Sequence, residues 1–153
     1  MPTATQSKII DHDVHTVYNQ WTQFEEFPRF MEGVKQIRQL DDTHLHWVVE
    51  HNGQEHEFDT EISEQRPDER VAWTSVDGPK NAGVVTFHRL GPDKTRIMLQ
   101  MDFEPEGVVE NVGDKLGIVG RRAEGDLKRF KGFIESRGTE TGAWRGKVDR
   151  PTP

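Results

Sequence analysis

Seven histidines, one tyrosine and no cysteine bound the chemistry open to this chain. Without a thiol there is no disulfide, no thiolate metal site and no cysteine nucleophile. His44 and His46 share one face of a strand, a spacing that supplies two metal ligands and needs a third. No compact carboxylate group completes the set, so the pair reads as exposed strand histidines and no metal is expected. His56 differs. Its alternation with Phe58 and Thr60 puts it on the inward face of its strand, which makes it the titratable side chain best placed beside a cavity. Tyr18 lies one helical turn before Trp21, so its hydroxyl reaches the core side as an acid or as an anchor for its helix, and the anchor is favoured. His56 and Tyr18 are therefore the candidates for general acid or base work. No paired acid and base stands at a recognisable spacing, and the catalytic set is unknown. Thr60 and Ser75 fall on inward strand faces, able to bond a ligand or the backbone. No serine sits in a nucleophile-elbow pattern. Gly113, Gly117 and Gly120 match neither the GxxxxGK phosphate loop nor a GxGxxG turn after a strand, which excludes nucleotide binding. No cofactor is expected.

The elements that must position these residues follow from periodicity. Val109, Val112, Leu116, Val119, Ala123, Leu127, Phe130 and Ile134 recur at steps of three and four, one stripe along a long C-terminal helix. Gly117 and Gly120 interrupt it, and a break between two helices, or a hinge, is expected there. Upstream, Ser7–Ile10 reads as a first strand, with residues to about Thr5 loose. Asp11 or Asp13 caps a short helix through Val14, Val17, Tyr18 and Trp21. A second short helix carries Phe24, Phe27, Phe30 and Met31, with Pro28 in its first turn. From Val34 the period becomes two. Leu45, Trp47 and Val49 alternate with polar partners, and Asn52-Gly53 is a strong hairpin signal. His56, Phe58, Thr60 and Ile62, then Val71, Trp73 and Ser75, then Val85 and Phe87, then Ile97, Leu99, Met101 and Phe103 form successive inward faces. Short turns join them, so the sheet is antiparallel. The fold class is α+β: a curved antiparallel sheet of about seven strands, two short helices after strand 1, and a long C-terminal helix in its grip. Residues 1–137 form one domain, and 138–153 form a flexible tail.

The chain has 153 residues, a net charge of −7, 32% hydrophobic and 31% charged residues. One domain with a modest or hollow core fits those figures. The acidic balance argues against nucleic acid as a partner. No apolar run reaches the length of a membrane span, and the N-terminus lacks a secretory pattern, so a cytoplasmic location is expected. Arg121, Arg122, Lys128, Arg129 and Lys131 form a basic helix face, ordinarily solvated, with transient contact to an anionic membrane surface as the alternative.

Specific residues add a resemblance. Val17-Tyr18-Asn19-Gln20-Trp21-Thr22 with Phe24, Phe27-Pro28-Arg29-Phe30-Met31, Trp47, Trp73, Gly83-Val84-Val85-Thr86-Phe87, Thr95-Arg96, Glu104-Pro105-Glu106-Gly107 and Asp126–Lys131 stand in an order that resembles the START-like (SRPBCC) superfamily of helix-grip folds. The nearer likeness is to its polyketide cyclase/dehydrase branch, which includes coenzyme Q-binding proteins. The resemblance implies a cavity for a hydrophobic small molecule between sheet and helix, with no shared catalytic set. The side chains it places against the ligand are Phe27, Phe30, Met31, Trp47, Phe58, Trp73, Phe87, Met101, Phe103, Leu116 and Val119. The expected function is binding of a lipid, quinone or polyketide-like compound in a carrier or sequestration role. A cyclase or dehydratase is the alternative. A protein-interaction module using the helix face or the tail around Trp144 is the third reading. Ligand identity and oligomeric state are not written in the sequence.

Overall fold

The computed structural model describes residues 3–31, 33–51, 53–76, 81–103, 112–144 and 146. The elements run β1 (Thr3–Ile10), α1 (Val14–Trp21), a 3₁₀ segment (Phe24–Arg29), β2 (Val34–Gln39), β3 (His44–His51), β4 (Gln54–Arg66), β5 (Arg70–Ser75), β6 (Asn81–Gly91), β7 (Lys94–Phe103) and α2 (Val112–Arg137). The seven strands form one sheet in the order β1-β7-β6-β5-β4-β3-β2. Every neighbouring pair is antiparallel. The helix-grip architecture expected from the residue pattern is what the chain adopts.

α2 is tied to the edge strand β1 and to the chain just before β2. On one side Lys131 Nζ donates to the Ile9 carbonyl of β1 at 3.0 Å, and the Asp11 amide donates to Glu135 Oε2 at 2.8 Å. On the other, Arg129 Nε donates to the Phe30 carbonyl at 2.8 Å. Between these attachments Ala123, Leu127, Phe130 and Ile134 are buried, as the stripe requires. The sheet's inner face meets them with Ile10, Ile62, Val85, Ile97 and Leu99, and α1 adds Val17, Tyr18 and Trp21.

Three local expectations need correction. α2 is one continuous helix of 26 residues that passes through Gly117 and Gly120 without a break. A glycine inside a helix costs about 1 kcal/mol, and burial of the apolar stripe offsets that cost. β1 begins at Thr3 rather than Ser7, because the supposedly loose residues pair with β7 in register from Thr3↔Asp102 to Ile10↔Thr95. The second short helix is a 3₁₀ segment with Pro28 at its fifth position rather than in an opening turn. After α2, Thr141 and Trp144 make hydrogen bonds to α1 and its C-cap. Gly138 ends α2 in the left-handed region at φ +78°. The Thr141 amide then donates to Gln20 Oε1 at 2.8 Å, Gln20 Nε2 donates to Thr141 Oγ1 at 3.1 Å, and the Trp144 amide donates to Thr22 Oγ1 at 3.1 Å. Residues 147–153 lie outside the described residues, as do Val109 and 104–107.

The remaining short elements form as their residues dictate. Asp13 is the N-cap of α1, its carboxylate accepting from the Thr16 amide at 3.1 Å. Gly53, at φ +78°, closes the tight β3–β4 hairpin. β4 carries a register shift between Ile62 and Glu64 opposite β5, so strict alternation fails there and both Glu64 and Gln65 are buried.

Candidate functional site

The inner face of the sheet is not uniformly sealed. Its half-buried members are Trp47 on β3, Phe58 on β4, Trp73 on β5 and Met101 on β7, with Met31 at the end of the 3₁₀ segment. Trp47 and Phe58 are directly opposite one another across β3 and β4. Their rings stack at 5.9 Å with only 8° between planes, the offset geometry aromatic pairs favour. Trp47 Nε1 donates to Thr60 Oγ1 at 2.8 Å. The indole's polar edge is therefore satisfied inside the wall, and its ring face is what remains.

Trp73 is opposite Gly83, and Gly83 is opposite Met101. The indole lies across β6 where Gly83 has no side chain. A Cβ built on Gly83 would be 2.3 Å from Trp73 Cζ2. Glycine here is a packing requirement: it lets an aromatic ring cover backbone in mid-sheet.

The expected ligand-facing residues thus divide. Phe27, Phe30 and Phe87 are at most 5% exposed and belong to the closed core. Phe27 packs against Trp21, Phe24, Phe30 and Trp47, with ring centroids 5.0 to 6.2 Å apart. These rings form a floor behind Trp47. Met31, Trp47, Phe58, Trp73 and Met101 are the partly open members. The side chains of Phe103, Leu116 and Val119 lie outside the described residues.

The two acid–base candidates are not brought together. His56 is exposed. Its parity is that of Phe58 and Thr60, but the β3–β4 hairpin runs past the core, so at residues 54–57 the inward face already meets solvent. Tyr18 is fully buried, accepts a hydrogen bond from Gln65 Nε2 at 3.1 Å, and sets its ring edge-on to Phe87 at 5.3 Å. Gln65, 1% exposed, was not legible as its partner because the β4 register shift masks its direction. Thr60 is buried and opposite half-buried Ser75.

On the outer face, His46 sits between Asp59 at 2.6 Å and Glu57 at 2.9 Å. Hydrogen bonds to those carboxylates, with their charge, hold its pKa above the usual 6.5. His44 is likewise raised, chiefly by its bond to Asp41. The Asp41 carboxyl is held at about 2, first by the Thr43 amide. These are ion pairs that link β3 to the β2–β3 turn and to β4. Among the described residues no group of three His, Asp or Glu side chains converges as metal ligands would. The outer face also has an open concavity of about 480 Å³ among small side chains, including Ala72, Thr74, Ala82 and Val84. Trp73 and Gly83 also line it.

A family profile described as polyketide cyclase/dehydrase and lipid transport matches residues 10–131. An uncharacterized 17.2 kDa protein of Streptomyces lincolnensis is 65% identical over 136 residues, 88% of this chain and 91% of its own length. Among solved structures, a START superfamily protein from Mycobacterium smegmatis matches with a TM-score of 0.77 at 20% identity, over 88% of this chain and 98% of its own. The Zhui aromatase/cyclase from Streptomyces sp. R1128 matches with a TM-score of 0.76 at 14% identity, over 94% and 99%. At those identities the structural likeness speaks for the fold, a START-like helix grip suited to hydrophobic ligands. No helix among the described residues is long and apolar enough to cross a membrane.

Proposed function

We propose that this chain, which belongs to the polyketide cyclase/dehydrase and lipid-transport family, binds a flat hydrophobic small molecule against the inner face of its sheet and carries or sequesters it. A quinone or polyketide-like compound fits this description best. The observation that carries the reading is the row of half-buried rings and thioethers, Trp47, Phe58, Trp73, Met101 and Met31, beside an otherwise closed core. Trp47 and Phe58 present parallel planes, and Trp73 lies flat over Gly83. A planar apolar ligand laid on these faces removes water from both surfaces, worth about 25 cal/mol per Å² before the cost of ordering. The Trp47 N–H is committed to Thr60, so this part of the wall selects by shape and stacking more than by donated hydrogen bonds. Phe27, Phe30 and Phe87 back the site. A cytoplasmic location goes with a carrier of this kind.

The cyclase or dehydratase alternative needs an acid or base at the ligand. Tyr18 is sealed in the core with Gln65, and His56 stands in solvent at the hairpin end. Tyr18 is closed off from the aromatic row and His56 stands at its solvent edge, which favours the carrier. The test is native mass spectrometry of the full chain purified from a cell that makes such compounds. The proposal expects a bound mass of a few hundred daltons that denaturing solvent releases. A chain that emerges empty, and then takes up no quinone or lipid analogue, contradicts it.

A further inference from the structure

Each nitrogen of the His12 ring has an acceptor within hydrogen-bond distance. Nδ1 is 2.7 Å from Asp13 Oδ1, and Nε2 is 2.9 Å from the Gly138 carbonyl oxygen. A neutral imidazole has one N–H and satisfies one of them; the imidazolium satisfies both. If the proton sits on Nε2 alone, Nδ1 turns a lone pair toward the Asp13 carboxylate, with only the Asp13 amide, at 3.1 Å, left to donate to it. The two acceptors belong to different parts of the fold. Asp13 is the N-cap of α1, its other oxygen bonded to the Thr16 amide. Gly138 is the residue at which the chain leaves α2 for α1.

We propose that His12 is a pH-sensitive latch: its imidazolium ties the cap of α1 to the end of α2, and its deprotonation frees the segment Gly138–Trp144 from α1. The surroundings favour the charged form. Asp13 on the α1 side, Glu140 on the tail and Glu135 on α2 act on His12, and Asp11 lies beside Glu135. The nearby cations are Lys131, paired with Glu135 and 3.9 Å from Asp11, and Lys94 from β7, 4.0 Å from Asp11. Without the imidazolium, four carboxylates face two ammonium groups, and Glu140 pulls the tail away instead of toward the cap. Partial burial lowers the His12 pKa, but the Gly138 carbonyl and the bond and charge of Asp13 outweigh it and leave it above 6.5. The latch is thus closed at and below pH 6.5 and opens as pH rises through the higher folded value. Opening loosens in turn the bonds of Thr141 to Gln20 and of Trp144 to Thr22, and uncovers the Gln20 amide, which is fully buried when the tail is docked.

The experiment is heteronuclear NMR of the full chain from roughly pH 5.5 to 8.5, a range that brackets histidine titration. It follows the His12 ring and the backbone amides of Thr141 and Trp144. The proposal expects both amides to shift with one midpoint, equal to that of the His12 ring and above 6.5. In His12→Gln, the amides take their high-pH positions throughout and lose that midpoint. Amides that stay fixed while the wild-type ring titrates overturn the latch, whether or not the variant folds. So does an unchanged pH response in His12→Gln.

Discussion

Gly83 and Trp73 behave as one structural unit: the ring occupies the space a side chain on Gly83 would need, 2.3 Å from its Cζ2. Gly83→Ala forces the indole off β6. The expected loss is about 1–3 kcal/mol, the range for overpacking a fitted site. Denaturant unfolding measures it, and the Trp73 emission shift reports the displaced ring. Thr60→Val keeps the shape but removes the acceptor of the Trp47 N–H. It should cost about 1 kcal/mol, the net worth of an ordinary hydrogen bond, read from the same unfolding curves. An unchanged midpoint would mean the bond contributes nothing to the wall. At this scale the sequence was readable where a side chain's own element decides its surroundings. Tyr18, one turn from Trp21, lies on the buried side of α1 as that spacing predicts. It was unreadable where depth decides. Alternation gives the face on which His56 lies, but not how far its hairpin projects beyond the core.

α2 carries a stripe that its spacing alone predicted, and Ala123, Leu127, Phe130 and Ile134 are buried as that spacing demands. Its continuity was not legible, because glycine's intrinsic cost argues for a break while tertiary burial argues against one. With the helix unbroken, Gly120→Ala should be tolerated and stabilise by up to about 1 kcal/mol through helix propensity. The added Cβ would lie 3.4 Å from Gln6 Nε2, the far end of a flexible side chain. Thermal unfolding checks this, and a clear loss of stability would show that the helix needs glycine to approach β1. The docking of Thr141 and Trp144 on α1 was also hidden. It rests on hydrogen bonds across a sequence separation of more than 120 residues, which no local pattern encodes. The order of elements was legible throughout, since each strand announces itself by period two and each turn by its glycines, prolines and aspartates.

For the whole molecule the perturbed groups define a pH window. Asp13 and Glu135 are lowered in the folded state: burial acts to raise them, but hydrogen bonds to Thr16 and His12, and to Lys131 and the Asp11 amide, win. Asp41 is lowered to about 2. Their contribution to stability is present above the unfolded carboxylate values and is lost as pH falls through the folded ones. His12, His44 and His46 are raised above 6.5. Theirs is present below 6.5 and lost as pH rises through the folded values. Thermal midpoints should therefore be highest between about pH 4.5 and 6.5 and decline on both sides. A midpoint still rising above pH 7 would contradict the histidine assignments. In the proposed function, helix, curved sheet and aromatic wall together hold a flat apolar compound, and one titration bears on that directly. A naphthoquinone is added to the full chain while the four Trp indole N–H resonances are followed by NMR. The account predicts saturable shifts at Trp47 and Trp73, with Trp144, on the α1 side, unmoved. Shifts confined to Trp144, or none at saturating quinone, would contradict it.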